Sequence, residues 1–271
     1  MDRSRRAQIA QETVQILEAG RYQTASGKNV AICDLIERAR QGTVSYPPDC
    51  DVPMPTPTKR KTPIEVVNTT TLSAARRVVE EGFVPAVLNF ASAKHPGGGF
   101  LSGAQAQEES LARASALYAC LVGNEMYDYH RRQRDPMYTN YVIYSPDVPV
   151  FRDDEGQLLS EPYCVAFLTA PAVNATEVFR QGTADQEMIA AEMKRRIDKV
   201  LAIAAKHGHV ALVLGAWGCG VFGNDPETIA ELFARAFHNE FSGVFERVVF
   251  AILDRSSNKQ IIGPFERHLA S

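Results

Sequence analysis

Residues 85–109 read PAVLNFASAKHPGGGFLSGAQAQEE. The run opens with a short, continuously apolar segment, Pro85–Phe90, of the kind that forms a strand buried on both faces of a sheet. A loop then leads to Gly97, Gly98 and Gly99, and after seven more residues comes Gln107-Glu108-Glu109. Glycines let a backbone approach a ligand closely and turn its N–H groups toward an anion. Adjacent carboxylates offer proton-transfer chemistry beside that anion. Glutamates in the first turn of a helix also serve simply as partners of its dipole.

Outward from this segment, apolar strands and amphipathic helices alternate. Strands are expected at Ile64–Val67, Pro85–Phe90, Tyr141–Tyr144, Tyr163–Ala170, Val210–Leu214 and Val248–Leu253. Helices are expected at Leu72–Glu81, Leu111–Val122, Ala184–His207, Pro226–Asn239 and Lys259–Leu269. Apolar strands separated by helices predict an α/β fold with a mixed, mostly parallel sheet flanked by helices. Ahead of it, residues 4–19 carry helical spacing through Ile9, Val14, Ile16 and Leu17 and end at Gly20. A strand near Asn29–Cys33 and a short helix near Asp34–Arg40 follow. Residues 45–63 hold Pro47, Pro48, Pro53, Pro55, Pro57 and Pro63, a composition that predicts an extended connector without regular elements. The division expected is residues 1–60 as a helical extension and connector packed on a main domain of residues 61–271.

With 271 residues, 45% hydrophobic and 23% charged, the chain can bury a large core. A net charge of −3 gives no global pull toward nucleic acid or an acidic membrane. No apolar run approaches the roughly 20 residues of a membrane span. The charged start lacks the apolar core of a leader. Cys33, Cys50, Cys120, Cys164 and Cys219 are scattered, without the CxxC or Cys/His spacing of a zinc site, and fit a reducing cytoplasm. No metal, cofactor, membrane or direct nucleic-acid contact is expected, and the chain is expected to act as a monomer.

In open α/β sheets, ligands sit outside the carboxyl ends of the strands. A second glycine-rich loop leaves such an end after Val213-Leu214. It reads Gly215-Ala216-Trp217-Gly218-Cys219-Gly220-Val221-Phe222-Gly223 and runs into Asp225-Pro226, a helix cap and first position. Two facing loops could grip a diphosphate through backbone N–H donors. Neither is a Walker A loop, because no Gly-Lys-Ser/Thr occurs, nor a dinucleotide fingerprint following a first strand. Cys219 reads as a small loop residue with no histidine near it in sequence, and His95 as shaping the turn at Pro96. Asn68–Thr71 either caps the next helix or reaches an adenosine. Tyr127–Arg134 mixes aromatic and basic residues, either as a solvated helix end or loop or as a surface for a polyanion.

Gly97–Gly99, the short loop and Gln107-Glu108-Glu109 resemble the signature of the poly(ADP-ribose) glycohydrolases. Gly215–Phe222 resembles the second phosphate loop of the wider macrodomain superfamily, and Asn89-Phe90-Ala91 with His95-Pro96 resembles the short bacterial branch. The resemblance covers about residues 60–270. It implies a macrodomain-like fold and hydrolysis of the ribose–ribose O-glycosidic bonds of poly(ADP-ribose), on ADP-ribosylated proteins, with ADP-ribose as product. By position, it implies Glu109 as the general acid and base and Glu108 as a substrate-positioning group. Gln107 would brace the loop, and Asn89 would bond a ribose hydroxyl. Gly97, Gly98 and Gly99 would pass close to the diphosphate and terminal ribose. Ala216, Gly218, Cys219, Gly220 and Val221 would line the diphosphate from the other side, and Phe222 would pack on the terminal ribose. A non-catalytic ADP-ribose reader, or a hydrolase of single ADP-ribose marks, would share the pocket. The C-terminal segment Lys259–Ser271 is a candidate wall that would decide between end-on and internal cleavage.

Overall fold

The computed structural model describes residues 1–269. In chain order, the helices are α1 (Arg3–Ala19), α2 (Cys33–Gln41), α3 (Thr71–Glu80), α4 (Gln107–Ala114), α5 (Leu117–Leu121), α6 (Glu125–Arg132), α7 (Ala175–Gln181), α8 (Gln186–Lys206), α9 (Pro226–His238) and α10 (Ile262–Leu269). The strands are β1 (Arg21–Gln23), β2 (Asn29–Ala31), β3 (Val44–Tyr46), β4 (Ile64–Val67), β5 (Ala86–Phe90), β6 (Val142–Arg152), β7 (Leu158–Ala170), β8 (Ala211–Leu214) and β9 (Arg247–Ala251). β1 and β2 form a small hairpin, and the main sheet runs β3-β6-β7-β5-β8-β9-β4. Pairs β4–β9, β8–β9, β5–β8 and β5–β7 are parallel, while β6–β7 and β3–β6 are antiparallel. The mixed, mostly parallel sheet expected from the alternating pattern is therefore present.

β5 lies at the centre, and its side chains divide between two cores because successive residues of a strand point to opposite faces. Leu88 joins Leu168, Leu212 and Val248 under α8 and α9, where Met193, Ile197, Val200, Phe233 and Phe237 pack. Val87 joins Phe167, Val213 and Val249 under α3, α4 and α5, with Leu72, Val78, Leu111 and Leu117. Asn89 shares the face of Val87 and so points toward α4. Because β5 and β8 are adjacent and parallel, the two glycine-rich loops leave the same edge of the sheet side by side.

Two expectations are corrected. The single helix over Leu111–Val122 is two helices, and the first begins earlier, at Gln107. The chain becomes extended at Ser115, which bridges Val150 of β6. There the Ser115 hydroxyl donates to Leu111 O at 2.7 Å and accepts from Leu117 N at 3.2 Å, replacing the interrupted helical bonds. The proline-rich stretch is not free of elements, because Ser45 and Tyr46 belong to β3, paired edge-on to β6. Tyr127–Arg134 is the C-terminal end of α6 and the two residues after it, with Asp128, Arg131, Arg132 and Arg134 exposed as expected of a solvated helix end, while Tyr127 and His130 are buried.

Helix α1 packs behind the first glycine loop. Arg3 Nε donates to Ser102 O at 3.0 Å, Arg6 Nε to Gly103 O at 2.8 Å, and the buried Thr13 hydroxyl to Arg113 O at 2.7 Å.

Candidate active site

Gln107 joins the catalytic-loop helix to the sheet. β5 pairs with β8 only through Val87, which leaves the Leu88 carbonyl and Phe90 N–H without a strand partner on that side. The Gln107 amide fills the gap like one more peptide unit: Nε2 donates to Leu88 O at 2.7 Å, and Oε1 accepts from Phe90 N at 2.9 Å. This pins the first turn of α4 to the end of β5 and sets the next two residues over the sheet edge.

Glu108 is 3% exposed. Its Oε2 accepts from Ser92 N at 2.7 Å, and its Oε1 accepts from Asn89 Nδ2 at 3.3 Å. Burial raises the pKa to about 8 against the opposing Ser92 N–H, and the neighbouring Glu109 charge adds to the rise. Glu109 sits on the cleft side, with Oε1 accepting from Gly99 N at 3.0 Å and Oε2 having no protein partner. The N–H groups of the triple glycine are thus turned inward. At Gly99 the anion held is the protein's own Glu109 carboxylate.

Gly98 has a φ of +60°, and a Cβ there would overlap Glu109 Oε1 and come within 3.1 Å of Glu108 Oε2. Arg113, whose pKa burial lowers to about 10, braces the intervening loop by donating to Ala104 O at 2.8 Å and to the Gln105 side chain.

The second loop is built differently. Trp217 is fully buried and anchors it, donating from Nε1 to Ala170 O at 3.2 Å. Asn224 ties its far end through Nδ2 to Val173 O at 2.7 Å and to Gly218 O at 3.2 Å. Between these anchors, the N–H groups of Gly218, Gly220, Val221 and Phe222 have no acceptor among the described residues. These groups form a backbone concavity suited to an anion. Burial pushes the Cys219 thiol pKa well above its ordinary range, which removes it as a nucleophile. Asp225 caps α9 by accepting from Thr228 N at 2.9 Å, with Pro226 in the first turn.

A cleft of about 1130 Å³ joins the two loops. Gln107, Glu108, Glu109, Ala216, Gly218, Cys219, Gly220, Val221 and Phe222 line it. Asn89 does not: it is fully buried beneath Glu108, with its amide shared between Glu108 and Thr169. Gly97, Gly98 and Gly99 stand behind the carboxylates rather than on the lining surface. Asn68 is spent on the backbone of Asp254, whereas Thr69, Thr70 and Thr71 reach the cleft. Thr70 accepts from Ser73 N at 3.1 Å as the cap of α3 and donates to Asp154 Oδ2 at 2.6 Å.

Ile261 lines the cleft at the start of the C-terminal segment, and residues 270–271 of that candidate wall lie outside the described residues. Sequence patterns did not mark Ser92, Lys94 or Tyr138, which also line it, nor the approach of Met1, Arg6 and Ile9 from α1. Tyr138 carries no local pattern at all, and α1 comes from the far end of the chain.

Residues 10–153 match the family described as microbial-type PARG, catalytic domain. The poly(ADP-ribose) glycohydrolase of Thermomonospora curvata is 50% identical, with a TM-score of 0.92 over 98% of this chain and 100% of that one. The same bacterium's enzyme bound to the inhibitor ADP-HPD is 50% identical, with a TM-score of 0.90 over 97% and 99% of the two chains. The Deinococcus radiodurans poly(ADP-ribose) glycohydrolase in complex with ADP-ribose is 41% identical, with a TM-score of 0.81 over 89% and 98%. No curated protein matches. The mixed, mostly parallel sheet with two glycine-rich loops on one edge is a macrodomain-like α/β fold. Within it, the chain belongs to the microbial-type poly(ADP-ribose) glycohydrolase family.

Proposed function

We propose that the chain hydrolyses the ribose–ribose O-glycosidic bond of poly(ADP-ribose), releasing ADP-ribose, with Glu109 as the group that moves the proton. The observation that carries this assignment is the asymmetry of the Glu109 carboxyl: one oxygen is fixed by Gly99 N–H, and the other is buried without a hydrogen-bond partner in a side chain that lines the cleft. Protonated Glu109 delivers its proton to the bridging ribose oxygen as the C1″–O bond breaks and the terminal ribose becomes oxocarbenium-like. The resulting carboxylate then takes a proton from the attacking water, whose oxygen bonds to C1″.

Glycoside hydrolysis usually uses two carboxyl groups on opposite sides of the sugar. Consecutive residues cannot stand opposed, so Glu108 has another task. Its raised pKa keeps it largely neutral at pH 7, which spares Glu109 a neighbouring charge and leaves one O–H to hold a ribose hydroxyl. The free N–H groups from Gly218 to Phe222 receive the diphosphate, and Phe222 packs on the terminal ribose. The ADP-ribose and ADP-HPD complexes of the two bacterial relatives support this use of the cleft. The net charge of −3 gives no global pull toward nucleic acid, and the scattered free cysteines fit a reducing compartment.

The test is incubation with a polymer-bearing, automodified acceptor protein. Free ADP-ribose is expected, with release stopping at a single protein-linked unit. Glu109→Gln is expected to slow release by about 10²- to 10⁴-fold while ADP-ribose still binds. Normal turnover in that variant would overturn the assignment. Tight ADP-ribose binding by the unmodified chain without any release would make it a reader.

A further inference from the structure

Tyr138 stands on the cleft wall between α6 and β6 in a conformation that its neighbours enforce. Its φ is +53°, in the left-handed region that bulky side chains rarely enter. Both flanking residues are clamped from inside the protein. Arg196, 1% exposed, donates to Met137 O and, at 2.9 Å, to Pro171 O. His130, fully buried, accepts from Thr139 N at 3.3 Å and shares a 2.8 Å bond with the Thr139 hydroxyl. A backbone conformation that is costly in itself and is held by two buried polar groups marks a side chain placed for use.

The Tyr138 ring meets the edge of His130 at 5.7 Å and lies 6.1 Å from the Phe222 ring. Its hydroxyl has no hydrogen-bond partner among the described residues. Lys94 Nζ stands 5.8 Å over the ring, lines the same cleft and has no carboxylate partner among the described residues. The nearby acidic groups are occupied, Asp128 by Arg131 and Glu177 by Arg180. An aromatic face and an uncommitted cation thus stand together immediately beyond Phe222.

Resting on the glycohydrolase function above, we propose that Tyr138 and Lys94 form a subsite for the departing ADP-ribose unit. Tyr138 stacks on the adenine base of that unit, and Lys94 meets its diphosphate. The departing unit begins one glycosidic bond beyond the terminal ribose packed on Phe222, and the Tyr138 ring stands 6.1 Å from the Phe222 ring in the same cleft. A flexible lysine leaves the ring face as the base arrives, and its charge then serves the phosphates.

The full-length chain is assayed on poly(ADP-ribose) and on a 1″-aryl glycoside of ADP-ribose, whose leaving group has neither base nor phosphate. Tyr138→Asn tolerates the positive φ and removes the ring. It is expected to lower kcat/KM on polymer about tenfold, mainly through KM, the size of one base–aromatic stack. Turnover of the aryl glycoside and ADP-ribose affinity should stay within about twofold, and Tyr138→Phe should restore polymer turnover. Lys94→Gln should weaken the salt dependence of KM on polymer only. Equal losses on both substrates, or full polymer turnover in Tyr138→Asn, overturn the subsite. An unmodified chain that binds ADP-ribose but leaves polymer intact overturns the glycohydrolase function and the subsite with it.

Discussion

Replacing Gly98 by alanine perturbs both carboxylates of the site through one methyl group. The φ of +60° places position 98 in the left-handed region, where a Cβ costs roughly 1–2 kcal/mol. The added carbon would overlap Glu109 Oε1 and lie 3.0 Å from Glu109 Cδ and 3.1 Å from Glu108 Oε2. Neither glutamate can move freely, because Glu109 is bonded to Gly99 and Glu108 to Ser92. The methyl is therefore accommodated by displacing the carboxyl proposed to transfer the proton, and a shift of about 1 Å at a reacting group costs about 100-fold in rate. The stability loss alone should lower Tm by only about 2–8 °C for a chain of this size. Single-turnover release of ADP-ribose and thermal unfolding, measured on the same preparation, separate the two effects. Gly208→Ala is the matched control, since its φ of +75° carries the same backbone cost, nothing lies within 4 Å of a Cβ there, and it stands outside the cleft. If Gly98→Ala retains release within about threefold of the unmodified chain, the inferred contact between the glycine loop and the carboxylates is not catalytic, because a displaced Glu109 should cost far more.

Glu108→Gln isolates the cost of burying a carboxyl. The folded pKa of about 8 lies above the ordinary value of 4.5, so between these two the unfolded chain binds fewer protons than the folded one. Stability from this group is complete below pH 4.5 and is lost as pH rises through 8. The variant should therefore gain stability over the parent between pH 5 and pH 9, on the order of a few kcal/mol; an unchanged difference in Tm across that range would count against a neutral Glu108. Cys219→Ala should keep ADP-ribose release within about threefold, since a buried thiol held above its ordinary pKa is not the nucleophile. A loss of 100-fold in that variant, with binding intact, would reinstate the thiol, being the scale of a lost catalytic group.

How legible the molecule is in its sequence varies by element. β5 and β8 were legible because a strand buried on both faces must be continuously apolar, and a glycine-rich loop follows each. β3 was not, because a three-residue edge strand among prolines carries no period and exists only by pairing with β6. The break at Ser115 was equally hidden: Leu111–Val122 satisfies helical spacing, and only the bridge to Val150 diverts the backbone. Within the site, the paired glutamates and the second loop were visible as motifs. Tyr138 and Lys94 were not, since their juxtaposition depends on where α6 and the loop after β5 meet.

The sequence by itself determined which residues can be tightly turned, which can exchange protons and which runs must be buried. Those are properties of single residues and their near neighbours, and they were enough to place two glycine loops at strand ends and a carboxylate pair beside one of them. The tertiary structure alone decided what each group faces. It set the Gly99 N–H on Glu109, placed Asn89 beneath Glu108 instead of in the cleft, spent the Cys219 N–H on Ala216 O, and left the Gly218, Gly220, Val221 and Phe222 amides open among the described residues. It also removed Glu108 from water while leaving Glu109 at the cleft. Two adjacent, chemically identical side chains of the cleft diverge because successive helical residues point about 100° apart, so Glu108 meets Ser92 N and Asn89 while Glu109 meets Gly99 N. Desolvation then raises the Glu108 pKa, and that rise exists only once the sheet and α4 have packed.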